Sequence, residues 1–119
     1  MSKSKLEIIN ETANFYTSEN RAVGQPSCMY LTDDGKRCAV GRCLREDLDV
    51  KNFDGDVHDL ITDFEVPDID DLLKEKYKGH SEEFWLELQN FHDISGNWNE
   101  EGLTEEGYLH VERLKNKWT

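Results

Sequence analysis

Three cysteines, two prolines and two methionines are all that this chain contains of those residues, and nowhere does it run to about 18 consecutive apolar residues. The missing apolar run excludes a transmembrane helix. Met1 to Lys5 leads into a polar, amphipathic stretch rather than the apolar core of a signal peptide. Cys28, Cys38 and Cys43 cannot all pair within one chain, which suits a reducing compartment better than a secreted disulfide scaffold. The expected location is therefore cytoplasmic. No repeat occurs beyond the echo of Ala22-Val23-Gly24 in Ala39-Val40-Gly41, and no low-complexity tract or linker divides the chain.

The motifs of common chemistries are also missing. Gly24, Gly35 and Gly41 have neither the Walker nor the dinucleotide spacing. His58, His80, His92 and His110 form no H-E-x-x-H doublet, and each is expected at the surface or in a cap. From Asp54 to Glu65, oxygens fall at four positions of a calcium-loop template, but His58 and Asp59 stand where a donor and the bend glycine are needed. No catalytic set and no cofactor follow from these residues, and the sequence leans away from an enzyme.

Positive charge is scarcest in one window. From Glu46 to Asp71 there are eleven carboxylates against Lys51 alone, minus ten of the chain's net minus twelve. Direct binding to a nucleic-acid backbone or an anionic membrane would work against that charge, so a basic partner is favoured. Residues 1–45 carry seven basic and five acidic side chains, so the surface is polarised rather than uniformly acidic.

At 119 residues and with twelve aromatics, the chain can bury one core. Leu6, Ile9, Ala13 and Tyr16 recur at helical spacing and predict a helix over 4–18. Cys28 to Thr32, the turn Asp33-Asp34-Gly35, and Lys36 to Val40 read as a β-hairpin, with Gly41 ending its second strand and a helical turn after it. Val57, Leu60, Ile61 and Phe64 mark a helix capped by Asp56 and stopped before Pro67. Asp68 caps a further helix in which Ile69, Leu73 and Tyr77 share a face. Ser81 opens the next, with Phe84, Leu88 and Phe91 inward. Thr104 opens the last, through Val111, Leu114 and Trp118, with Leu103 and Tyr108 placed as a hydrophobic staple. Trp98, in a loop over 95–102, is expected in the core. The reading is one α+β domain over 1–119, mostly helical, with about five helices packed around one β-hairpin.

Many of the carboxylates sit in first turns and lysines in last turns, where the helix dipole favours them. A functional reading is open beside that structural one. Asp56, Asp59 and Asp63 share a helical side and, with Asp54, Asp70 and Asp71, could present charge to a basic groove on a nucleic-acid-binding protein. These six are the candidate partner-binding residues. An alternative site is a pocket at the hairpin near Cys38, Arg42, Cys43 and Arg45, where the two arginines would favour a Cys43 thiolate. A third alternative is structural zinc on the three cysteines with a histidine such as His58, although their spacings are not those of a zinc knuckle. The structural reading of the cysteines, favoured over both, is packing as small buried hydrophobes.

The stretch Cys28-Met29-Tyr30, then Asp34-Gly35-Lys36-Arg37-Cys38-Ala39-Val40-Gly41-Arg42-Cys43-Leu44, resembles a segment of small uncharacterised bacteriophage and prophage proteins. Leu88 to Asp93, Trp98 and Gly102 are similar to that group too. The resemblance implies a small acidic protein made in a bacterial cytoplasm to bind a host or phage component. With the acidic window, the leading expectation is a non-enzymatic binding module or inhibitor of a basic host or phage protein. The Arg42-Cys43 pair departs from the apolar run expected there.

Overall fold

The computed structural model describes residues 3–17, 20, 36–50 and 57–118. Ser4 begins the first helix, α1 (Lys5–Phe15): its hydroxyl accepts from Glu7 N while the Glu7 carboxylate accepts from Ser4 N, a reciprocal cap. The helix is shorter than the expected 4–18, and its inner face is Ile8, Ile9, Thr12 and Ala13, with Leu6 left 40% exposed. Tyr16 is buried beyond the helix end, in extended backbone, and its hydroxyl donates to Arg37 O at 2.8 Å.

The expected hairpin lies mostly outside the described residues. Of its second strand, Arg37 forms a bridge, but Ala39 and Val40 are already in a turn, and Gly41–Cys43 winds into 3-10 helix. A β-hairpin does occur, at a place read as loop: β1 (Trp98–Asn99) pairs antiparallel with β2 (Gly102–Leu103), Trp98 opposite Leu103. Its turn is held by Asn99 Oδ1, which accepts from Glu101 N. Gly102 has φ 129°, a conformation open to glycine and costly for other residues. Trp98 is in the core, donating from Nε1 to His92 O at 3.0 Å.

Helix α2 (Val57–Phe64) occupies the expected position; Asp56, expected to cap it, lies outside the described residues. The helix expected from Asp68 to Lys78 does not form. Asp68 caps a 3-10 turn, Ile69–Leu72, and a second 3-10 turn covers Glu75–Tyr77. Between them Leu73 is extended and bridges Leu44, while Arg45 N donates to Leu72 O and Lys74 N to Cys43 O, each at 2.9 Å. These bonds to a distant segment take the place of the i to i−4 ladder, so tertiary pairing overrides helix propensity. Ile69, Leu73 and Tyr77 are buried all the same.

Ser81 caps α3 (Glu82–Asp93), whose buried face includes Trp85, Gln89 and His92 beyond the three expected apolar residues. Thr104 Oγ1 accepts from Gly107 N at the start of α4 (Glu105–Trp118). The staple is not made, for Tyr108 is 63% exposed. Leu103 instead lies over Gly107, where an added Cβ would come within 2.8 Å of Leu103 Cδ2 and 2.3 Å of Asn97 O. Helix α4 packs between α1 and α3, and α2 packs on α3. Among the described residues four α-helices therefore stand where about five were expected, in a mostly helical α+β arrangement. Among the described residues no helix is long and apolar enough to cross a membrane.

Candidate functional site

Two surfaces of opposite charge follow from this arrangement. The first is acidic. Nine of the eleven carboxylates between Glu46 and Asp71 are described, and all but the half-buried Asp70 are exposed. Asp54 and Asp56 lie outside the described residues.

Asp59 and Asp63 stand one turn apart on the exposed side of α2. Asp71 is also exposed. Asp70 serves the fold locally, since both its oxygens accept from Gly79 N at 3.1 Å and close the loop between the second 3-10 turn and α3. Asp68 is likewise engaged, as the cap of Ile69–Leu72. Two nearby carboxylates meet cations, Asp47 with Arg45 at 3.2 Å and Glu46 with Lys74 at 3.7 Å.

Asp63 lies in the last turn of α2, which contains no basic residue. A carboxylate there faces the negative end of the helix dipole, so capping does not account for it. Glu65 follows with φ 55°. Glu65 N donates to Thr62 O and Val66 N to Ile61 O, the paired bonds of a Schellman ending in which glycine is preferred at the position Glu65 occupies. Sequence reading missed Glu65, although its place just after an apolar helical face was visible.

The second surface is basic and surrounds Arg42. The 3-10 turn Gly41–Cys43 carries this side chain toward α1, where Nη1 meets Glu11 Oε1 at 2.5 Å and Tyr77 Oη at 3.2 Å. Tyr77 Oη also donates to Glu11 Oε1, and Lys3 Nζ lies 3.0 Å from Glu11 Oε2. Burial alone would raise the Glu11 carboxyl, but the bonds from Tyr77, Lys3 and Arg42 outweigh it and hold the group at about 2. Burial, then the bond to Glu11, pushes the Tyr77 phenol up, so it remains a donor. The guanidinium lies 5.1 Å from the Phe15 ring centroid, a cation–π contact. Its Nε and Nη2 are buried and find no acceptor among the described residues.

Beside Arg42 opens a cavity of about 220 Å³ lined by Phe15, Asn20, Lys36, Arg37 and Arg42. Asn20 closes over the C-terminal end of α1, donating to Phe15 O at 2.8 Å and accepting from Thr17 N at 2.7 Å. Arg37 Nη1 reaches Gly41 O at 3.3 Å. The expected hairpin pocket thus has its counterpart here through Arg42, but neither cysteine nor Arg45 lines it. Arg45 turns outward to Asp47.

Cys43 is fully buried, as core packing requires and against the alternative of an activated thiol. Burial pushes its thiol up to about 12, and the neighbouring Arg42 offsets only part of that rise. Its Sγ lies 3.5 Å from Ala39 O, and Cys38 Sγ accepts from Gly41 N at 3.2 Å. Both thiols therefore pack and bond inside the core. Among the described residues no three His, Cys, Asp or Glu side chains are grouped to hold a metal; Cys28 lies outside those residues. His58 is on the exposed side of α2, 3.5 Å from Glu82.

His92, expected at the surface or in a cap, is fully buried, with Nδ1 2.9 Å from Asp93 Oδ1 and its ring edge-on to Tyr16. Gln89 joins the same group, bonding Asp93 with its amide nitrogen and accepting from Val40 N with its oxygen. This polar set ties α3 to the segment entering the Gly41 turn. Comparison of the chain with protein-family models, with curated proteins and with solved structures returns no match.

Proposed function

We propose that the chain is a non-enzymatic binding module that docks a basic protein, such as a nucleic-acid-binding or defence protein of a bacterial host or phage, through the acidic face around α2. The observation that carries this reading is the pair Asp63 and Glu65. One carboxylate opposes the helix dipole and the other holds a backbone conformation better suited to glycine, so neither is explained by the stability of the fold. Local rules broken at two exposed positions two residues apart point to a use outside the fold. With Asp59 and Asp71, they make four exposed carboxylates that steer and orient a cationic surface. The resemblance to small phage accessory proteins agrees with such a role.

The test compares the wild-type protein with a variant carrying Asp59→Asn, Asp63→Asn, Glu65→Gln and Asp71→Asn. Each is immobilised and challenged with bacterial lysate at low and at high salt, with mass spectrometry of what is retained. A basic protein held by the wild type, released by salt and absent from the variant is the expected result. An identical retained set on both proteins would clear the acidic face of the role.

A further inference from the structure

The cavity beside Arg42 has a lining unlike the rest of this acidic chain. Its described walls carry one lysine, two arginines, an asparagine and a phenylalanine, and no carboxylate. At about 220 Å³ it has room for roughly seven waters at about 30 Å³ each, well below the size of a drug-like site. Two guanidinium groups share it. Arg42 has used Nη1 on Glu11 and Tyr77, while Nε and Nη2 have no acceptor among the described residues. Arg37 is anchored through one nitrogen to the carbonyl of Gly41, which holds it at the rim. Guanidinium groups match phosphate oxygens in shape as well as charge. Phe15 is 51% exposed and backed by Arg42, so its ring offers a flat apolar wall beside the cationic end.

We propose that this cavity binds a small phosphate monoester, its dianionic head between Arg37 and Arg42 and its short organic body against Phe15. A dianion gains more than a carboxylate from several cations converging on one small space. The site is separate from the acidic face and uses none of its residues.

The probe is phenyl phosphate, with benzoate of similar shape as the monoanionic comparison, titrated into the full chain by calorimetry at constant ionic strength. Saturable one-site binding is expected, about ten-fold tighter for phenyl phosphate than for benzoate. Arg37→Gln and Phe15→Ala each weaken it several-fold, and the four-site acidic-face variant binds as wild type. Both single changes fall on partly exposed side chains, and an unchanged far-UV spectrum confirms that the variants fold. Absence of saturable binding at millimolar phenyl phosphate overturns the proposal, as does binding indifferent to Arg37→Gln. Benzoate binding as tightly would overturn the assignment of a dianion. Because the acidic-face variant serves as the control, loss of partner capture with the probe still bound separates failure of one reading from failure of the other.

Discussion

Arg42 on the 3-10 turn and Glu11 on α1, thirty-one residues apart, meet at 2.5 Å between guanidinium and carboxylate. With Tyr77 and Lys3 they tie three chain segments together where the acidic chain is locally basic. A half-buried ion pair of this kind adds little net stability over an apolar contact, but removing one partner leaves the other charge uncompensated.

Glu11→Gln is therefore expected to lower stability at neutral pH by roughly 2 kcal/mol, measured by urea unfolding. The pH dependence has a definite sign. The folded carboxyl lies near 2 against its ordinary 4.5, so the pair's contribution is present above pH 4.5 and is lost as pH falls toward 2. The group is partly solvated, and the loss should be of the order of 1 kcal/mol. A wild-type stability curve no steeper than that of Glu11→Gln between pH 4.5 and 2 would contradict this account.

Gly107 is helical, where alanine usually stabilises by up to about 1 kcal/mol. Here the added methyl would sit 2.3 Å from Asn97 O, a backbone atom that cannot swing aside, so Gly107→Ala is expected to cost roughly 1–3 kcal/mol instead. Thermal unfolding decides the sign, and a raised midpoint would refute the close approach.

Glu65→Gly should act in the opposite direction. The Schellman ending of α2 holds residue 65 at φ 55°, and glycine removes a side-chain conflict at a gain of about 0.5–1 kcal/mol. If the acidic face binds a basic partner, the same variant is more stable and weaker in binding. Chemical denaturation and the salt-dependent capture described above read the two effects separately.

Cys43 should be inert in the native protein. Its thiol is buried and raised to about 12, so almost none is thiolate at neutral pH. Alkylation followed at this residue by mass spectrometry should run far slower than for a free cysteine and accelerate with denaturant. A native rate matching free cysteine would restore an accessible, activated thiol.

Local chemistry made several elements readable in advance. Ser81 and Thr104 each cap the start of a helix where one was expected, and α2 and α3 lie where apolar spacing placed them. The acidic face was legible too, since a window with a single lysine leaves carboxylates nowhere to go but outward. What misled was competition between local and distant bonding. Ile69, Leu73 and Tyr77 have helical spacing, yet the backbone at Leu73 and Lys74 pairs with Cys43 to Arg45.

The amino-acid sequence by itself determined the helix starts, the apolar stripes and the uneven charge, because capping, periodicity and composition act over a few residues. Tertiary structure alone decided the rest. It buried Cys43 and His92, left Leu6 and Tyr108 exposed, and joined Glu11 to Arg42 and Tyr77 across 31 and 66 residues. The physical reason is that desolvation and ion pairing depend on which distant segments share a volume, and spacing along the chain carries no information about that.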